Sequence, residues 1–504
     1  MTVMRPDTTV ADPYVQENTF IGRRPSGGRV PGFSAVRHLL PEPRWDARPD
    51  VISCSWKAWE LAFRHLRVPT RRNGFITPYI DTAFNGHIFM WDSVFMLFFG
   101  RYGIRAFDFQ RTLDNFYAKQ HADGYICREI DEATGNDLFE KYDPSSTGPN
   151  LFPWSEWEHY RWTGNRARLQ RVYPVVLALF RWFDTYRTWP DGSCFTNGYG
   201  SGMDNQPRSS DPRFNPWKSH GHLSWIDATA QHAFAARNLC CMASTLGDHA
   251  TAAALEHRAR QAVRYINGLM WHDGDRFYYD RTASGALTRL KTVGAYWTLL
   301  AGAVPRRRTV PFIAHLEDPR SFNRPHRVPS LPADHPAYRG DGGYWLGGVW
   351  PSTTYMVLRG LTAAGEHRVA HDIARNHLDQ VVAVYRNTGT LWENYAPERA
   401  KPGNPAKPDF VGWTGVVPIA VLLECVFGIR ADVPANLLMW DLRLTDAHGV
   451  ERYPFGTKGL VSLYCARRRS AQESPCIRAS SNIPLTVRVR WQGGTRTLRL
   501  PGRR

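Results

Sequence analysis

The sequence predicts a mainly α-helical protein that ends in a small β-rich region, and three features predict it. Between about residues 54 and 428, apolar residues recur at helical spacing in about twelve segments. These segments alternate between ones that are apolar nearly all round and ones that carry a charged face. After about residue 431 the texture changes to alternating, β-branched stretches.

Residues 1–45 are rich in Pro, Gly and Arg ("GRRPSGGRVPGF"), which predicts an extended arm that packs only in part. Helices are then predicted near 54–66, 88–103, 106–119, 152–163, 165–188, 222–245, 247–271, 290–303, 308–316, 348–364, 366–385 and 412–428. "HIFMWDSVFMLFF", "FPWSEWEHYRW", "LSWIDATAQHAF" and "GVWPSTTYMVLRGL" have the all-round apolar character of helices buried on both sides. "DHATAAALEHRARQAVRYI" and "EHRVAHDIARNHLDQVVAVY" are amphipathic. Inner and outer helices in alternation predict six helical hairpins closed into an (α/α)6 barrel over residues 46–430. Several connections are long and rich in Gly, Pro, Asn and aromatics, and loops of that kind usually carry function. At one end of the inner helices they would build a pocket. Residues 431–504, with "GLVSLYCARR", "PLTVRVRW" and a "QGGTR" hairpin turn before "TLRLPG", predict a small β-rich accessory domain.

At 504 residues, 43% hydrophobic and 22% charged, the composition is that of a globular protein and excludes a disordered one. Its unusual feature is 19 Trp, 21 Tyr and 25 Phe, more flat amphipathic surface than a core of this size requires. Such rings stack on sugars as well as on one another. The net charge of +17 raises nucleic acid as a partner, but the Arg residues are scattered, with short runs only at 306–308, 467–470 and the tail "PGRR". No nucleic-acid-binding motif accompanies them, so no specific nucleic-acid partner is expected. The eight Cys show no C-x-x-C pair, which fits buried free thiols in a reducing compartment. With no apolar leader and no run near 18 apolar residues, a soluble cytoplasmic protein without a membrane partner is expected. The sequence does not fix the oligomeric state.

Two carboxylates stand in unusual settings. "YGSGMDNQPR", residues 199–208, puts Asp204 between a glycine-rich run and Arg208, where it either shapes an Asx-type turn or acts as an acid. "TLWENYAPE", residues 390–398, puts Glu393 between Trp392 and Asn394, where it is either tied down by local hydrogen bonds or poised for chemistry. "FMWDSVF" places Asp92 beside Trp91 at the start of a buried helix, as a cap or a sugar-hydroxyl ligand. "GGYWLGGVWP", from Gly342, sets Tyr344, Trp345 and Trp350 among glycines that allow close backbone approach to a ligand.

With these stretches in view, the sequence resembles the (α/α)6-barrel glycosidases of glycoside hydrolase family 63 and their trehalase relatives, most closely the bacterial branch similar to mannosylglycerate hydrolase. The resemblance rests on "WDS" at 91, "SGMDNQPR" at 201, "YDR" at 279, "GGYWLGGVWP" at 342, "ENYAPE" at 393 and "DFVGWTG" at 409, in the family's order over about residues 50–430. It implies that Asp204 is the general acid and Glu393 the general base of an inverting hydrolase. It also implies that Trp91, Asp92, Tyr344, Trp345, Gly347 and Trp350 line the sugar subsite, with Arg208 near the pocket. Leu346 and Gly348 stand where many relatives carry Arg and Pro, and that departure bears on substrate identity.

Glycoside hydrolysis needs a proton for the departing oxygen and a nucleophile at the anomeric carbon, and two carboxyl groups supply both. Asp204 should then be held protonated by its pocket while Glu393 stays ionised and holds water. Arg208 in direct contact with Asp204 would favour the wrong form, so it should point to substrate or to another acid. The expected partner is a small α-linked glucoside or mannoside, such as glucosylglycerate, mannosylglycerate, trehalose or a short oligosaccharide. No metal or cofactor is required. A glycoside phosphorylase would replace the water-activating base by a phosphate site, and a non-catalytic carbohydrate-binding protein would keep the aromatics without both carboxylates. Asp131, Glu132 and Asp137 read as solvated turn residues.

Overall fold

The computed structural model describes residues 10–81 and 84–502. The protein is mostly helical, with a strand-rich region from Ile429 onward. The principal helices are α1 (Pro49–Arg64), α2 (Met90–Gly100), α3 (Phe152–Thr163), α4 (Arg166–Tyr186), α5 (Ile226–Leu246), α6 (His249–Leu269), α7 (Pro351–Ala363) and α8 (His367–Thr388). Each remaining predicted segment has a shorter counterpart. Residues 106–119 hold a 3-10 turn (Phe109–Arg111) and a short helix (Thr112–Tyr117), and 290–303 hold a 3-10 turn running into Trp297–Leu300. The segment 308–316 is covered by Arg306–Ile313, and 412–428 by a 3-10 turn followed by a π-helix, Val417–Val426.

Local chemistry sets the helix ends. Asn165 caps α4 by accepting from the Arg168 N–H at 3.0 Å, and Asp248 caps α6 by accepting from the Thr251 N–H at 3.1 Å. Gly164, Gly247 and Gly389, all left-handed, close α3, α5 and α8. In α8 the apolar residues Val369, Ile373, Leu378, Val381 and Val382 are buried at helical spacing and fix its inward face.

Packing follows the alternation in the sequence. α2 packs on α3, α3 on α5, α5 on Trp297–Leu300, that helix on α7, α7 on the π-helix, and the π-helix back on α2. α4, α6 and α8 lie against this succession, and α1 packs on α8 and the π-helix. Most tryptophans are buried in the resulting core, among them Trp154 and Trp297.

The arm is more tied down than its composition predicts. Phe20 is fully buried, and β1 (Glu42–Arg44) joins the C-terminal region; residues 1–9 of the arm and Arg503–Arg504 of the basic tail lie outside the described residues. Two further strands, β2 (His87–Phe89) and β3 (Glu129–Asp131), form a pair beside α2. The C-terminal strands are β4 (Ile429–Asp432), β5 (Leu437–Asp441), β6 (His448–Phe455), β7 (Gly459–Cys465), β8 (Ile477–Ser481), β9 (Leu485–Trp491) and β10 (Gly494–Leu500). They make two four-stranded sheets in the orders β1-β6-β7-β8 and β10-β9-β5-β4. β1 runs antiparallel to β6, with Glu42 opposite Glu451 and Arg44 opposite Gly449.

All eight cysteines are free thiols; Cys54, Cys127, Cys194 and Cys465 are buried, whereas Cys241 and Cys476 are exposed, against the expectation of burial. Among the described residues no helix is long and apolar enough to cross a membrane.

Candidate active site

The N-terminal ends of α2 and α7, the loop before α3 and the turn before the π-helix converge on one cavity of about 70 Å3. A buried water needs roughly 10–15 Å3 on the same scale, so the space holds several. Asp204 and Glu393 both line it, with Trp91, Asp92, Tyr344, Trp345 and Trp350. Two carboxylates 189 positions apart in sequence thus face one enclosed space.

Asp204 is not the residue that shapes its turn. Asn197 does that, accepting from the Gly200 N–H at 2.9 Å to cap the short helix Gly198–Ser201, which left-handed Gly202 closes. A Cβ on Gly198 would come within 2.1 Å of the Asp204 carbonyl, and one on Gly202 within 3.2 Å of the Trp91 ring, so the glycines let this loop fold onto itself and onto the cavity wall. Asn205 then fastens the loop to the one that starts at Gly342: its Nδ2 donates to the Gly343 carbonyl at 3.1 Å and its Oδ1 accepts from the Trp345 N–H at 2.8 Å. The Asp204 carboxylate accepts from the Tyr344 phenol at 3.2 Å. Burial pushes its pKa up to about 6, against the opposing pull of Arg128 and the Tyr344 hydrogen bond; Glu129 adds to the rise.

Glu393 sits in a backbone exchange with Lys407, donating its N–H to the Lys407 carbonyl at 2.9 Å. Its Oε2 accepts from the Lys407 N–H at 3.2 Å, and its carbonyl accepts from the Trp413 indole at 2.6 Å. Oε1 is buried and has no partner among the described residues. Burial pushes the Glu393 carboxyl up to about 7, Asp204 raises it further, and Lys407 pulls it down. This differs from the expectation of an ionised Glu393. The cause is burial, which the single donor at Oε2, the Lys407 N–H, does not offset.

The remaining wall is aromatic. Trp345 and Trp350 stack in parallel at 4.0 Å, and the buried Trp91 indole N–H has no acceptor among the described residues. Asp92, third residue of α2, lines the cavity, and burial beside Glu393 and Glu129 holds its pKa well above the ordinary range against a hydrogen bond from its own backbone N–H. A neutral Asp92 and the free Trp91 N–H are donors, and Glu393 Oε1 is an acceptor: a set suited to hydroxyl groups and water. Gly347 is not part of the wall. Its φ of +149° and its N–H to Ser330 Oγ at 3.2 Å hold the loop behind it.

Arg208 does not reach the cavity either. It is buried to 1% exposure, paired with Asp227 and, at 3.2 Å, with Asp280, and lies over the Trp225 ring at 4.5 Å. It points to other acids, one of the two options the sequence allowed, and the placement beside substrate is corrected. The Asp280 of "YDR" thus anchors the loop that carries Asp204 to the start of α5, its Oδ1 also accepting from the Ile226 N–H at 2.8 Å. Glu132 is likewise not simply solvated: burial, with Asp81 nearby, pushes it up to about 7.

Sequence reasoning did not single out Arg128, Tyr199 or Trp413, which also line the cavity, nor Asn205. Arg128 is fixed by its Nε to the Ser145 carbonyl at 2.7 Å and by Glu129 at 3.2 Å. Trp413 stood inside the quoted "DFVGWTG", so that signal was present.

Comparison with known proteins gives the same direction. A Borreliella burgdorferi protein is 22% identical over 388 residues, 75% of this chain and 79% of the other. The probable mannosyl-oligosaccharide glucosidase of Schizosaccharomyces pombe is 26% identical over 285 residues, 49% of this chain but only 34% of that enzyme. The glucose complex of the GH63 mannosylglycerate hydrolase from Thermus thermophilus superposes with a TM-score of 0.57 at 20% identity, covering 73% of this chain and 99% of that one, a likeness of fold. Residues 86–414, well over half the chain and including every wall residue from Phe89 to Trp413, match the family described as the mannosylglycerate hydrolase MGH1-like glycoside hydrolase domain. The chain belongs to that family and is a glycoside hydrolase.

Proposed function

We propose that the protein is an inverting α-glycosidase in which Asp204 protonates the departing oxygen and Glu393 draws a proton from the attacking water. The observation that carries this reading is the convergence of the two buried carboxyls on one aromatic cavity, with Glu393 Oε1 left unpartnered. A water donating to that oxygen would restore the missing hydrogen bond and favour the ionised base. The glycosidic C–O bond breaks as the Asp204 proton passes to the leaving oxygen, and the water oxygen bonds to the anomeric carbon from the other side, giving its proton to Glu393. Trp91, Asp92, Tyr344, Trp345 and Trp350 would hold the sugar. The substrate would be a small α-linked glucoside or mannoside: glucosylglycerate, mannosylglycerate, trehalose or a short oligosaccharide. The succession of α2, α3, α5, Trp297–Leu300, α7 and the π-helix would be the inner ring of an (α/α)6 barrel, and the strand-rich region an accessory domain in a cytoplasmic enzyme. Incubation with such a panel, watched by NMR beside Asp204→Asn and Glu393→Gln, tests it. Release of the inverted anomer by the parent alone is expected. Retained configuration would sink the inverting mechanism, and undiminished turnover by either variant would sink its assigned role.

A further inference from the structure

The loop from Gly342 to Trp350 holds Tyr344 at φ +65°, in the left-handed region that a side chain with a Cβ enters only at a cost in energy. Its surroundings enforce this. The Tyr344 carbonyl accepts from the Gly348 N–H and from the Trp350 indole, each at 3.2 Å. The ring lies against Trp217 at 6.1 Å, nearly parallel, and edge-on to Trp350 at 5.0 Å. Its hydroxyl has one hydrogen-bond partner among the described residues, Asp204 Oδ2. Burial next to Asp204 and Glu393 raises the phenol far above its usual range, so it stays protonated and donates.

We propose that Tyr344 is a positioning residue for the acid: by donating to Asp204 Oδ2 it leaves Oδ1 to carry the transferable proton toward the substrate. This rests on the reading of Asp204 as the acid. Two hydrogens directed at one another across Oδ2 repel, so the proton settles on the free oxygen. When that proton passes to the leaving group, Asp204 becomes a carboxylate and the Tyr344 hydrogen bond becomes charge-assisted, and therefore stronger, at the moment charge develops. The other charged or titratable groups around Asp204 are Arg128, which favours its ionised form, Glu129 and Glu393, which oppose it, and Asp92 on the same wall. Among the described residues Tyr344 is the side chain that hydrogen-bonds Oδ2; the Asp204 backbone N–H also favours the ionised form but comes from the residue itself and not from the opposite loop.

The test compares wild type and Tyr344→Phe on two kinds of substrate. One is the O-glycoside cleaved fastest in the panel above; the other is the α-glucosyl or α-mannosyl fluoride, whose leaving group needs little protonation. On the O-glycoside, kcat should fall about 5- to 50-fold with KM within about threefold, while fluoride turnover should stay within about threefold. The pH profile of kcat/KM should move upward by a few tenths of a unit to about one unit, because a donor that favoured the ionised acid is gone. Equal losses on both substrates, or an unmoved profile in a variant with the parent's melting curve, would overturn the proposal. Asp204→Asn separates the two levels. If it cleaves the O-glycoside as fast as wild type, the assignment of the acid fails and this proposal with it; if it is inactive while the Phe variant behaves as wild type, only the role of Tyr344 fails.

Discussion

Asn205 holds the Trp345 backbone directly, its side-chain Oδ1 accepting the Trp345 N–H at 2.8 Å while its Nδ2 donates to the Gly343 carbonyl at 3.1 Å. The neighbour of Asp204 in sequence is thereby what registers the Asp204 loop against the loop of Tyr344. Asn205→Ala should leave the fold intact, at a cost of about 1–2 kcal/mol, and lower kcat/KM by about 10- to 100-fold. Melting curves beside steady-state kinetics would read both, and a loss of stability with unchanged kcat/KM would show that the two loops are registered by other contacts.

Asp204 at about 6 and Glu393 at about 7 define a pair that must hold one proton, on Asp204, for the proposed chemistry; these values leave it mainly on Glu393, and a water donating to Glu393 Oε1 would move the balance toward Asp204. Below about pH 6 the pair gains a second proton and the base is lost; above about pH 7 it loses both and the acid is gone. A kcat/KM profile that peaks between these values and falls on both sides is expected. A flat profile from pH 5 to 9 would be incompatible with the pair.

The same burial costs stability. The Glu393 carboxyl is raised on folding, so the native protein binds a proton that the unfolded chain does not between about pH 7 and the ordinary glutamate range near 4. Stability therefore rises as pH falls through that window and is lowest where Glu393 is ionised. Glu393→Gln should be more stable than wild type at pH 8, by roughly 1–3 kcal/mol, and the gain should vanish near pH 4. Denaturant unfolding at the two pH values measures this, and equal stabilities at pH 8 would contradict the burial argument.

Arg208 neutralises Asp227 and Asp280 where water does not reach. Arg208→Met would strand two buried carboxylates, a loss of about 3–5 kcal/mol. Since burial already raises Asp280 with Arg208 beside it, a stranded Asp280 should protonate more readily still, and the deficit should shrink between pH 8 and pH 5. Thermal unfolding across that range distinguishes this from a packing loss, which would not vary with pH.

Gly348 stands where the resemblance places a proline, yet the loop has no room for one. A Cβ there would lie 2.4 Å from the Tyr344 carbonyl, and the Gly348 N–H donates to the Gly342 carbonyl at 2.8 Å. Gly348→Ala should displace Tyr344 and reduce kcat/KM by at least about tenfold, and Gly348→Pro should do more, having also lost the N–H. Parent-like kinetics in either would mean that the loop relaxes without moving the phenol.

The helices were legible because burial on one side or both writes a period into the sequence: α3 begins and ends where the aromatic run "FPWSEWEHYRWT" does. The segment 412–428 was legible as a buried helix, but neither its start at Val417 nor its π-helical winding was, since an apolar stretch gives no sign of which carbonyl each N–H will choose. For the site, Asp204 and Glu393 stood out through the glycines and aromatics around them and through the order of six motifs. The partners of Arg208 did not, because Asp227 and Asp280 lie 19 and 72 positions away and only the tertiary fold brings them to it. Asn205 was hidden for the opposite reason: beside so conspicuous an acid it read as part of the turn, and its partners are on another loop.

The pairing of Glu42–Arg44 with Glu451–Gly449 has a consequence for how the protein is made. The first strand of its sheet leaves the ribosome about 400 residues before the partner it must join. At roughly 5–20 residues per second, that strand waits on the order of 20–80 s with its edge unclaimed. Throughout that interval the nascent chain presents a template for any stray strand, and a chaperone that shields the first fifty residues would raise the yield of native enzyme more than one acting on the finished helices.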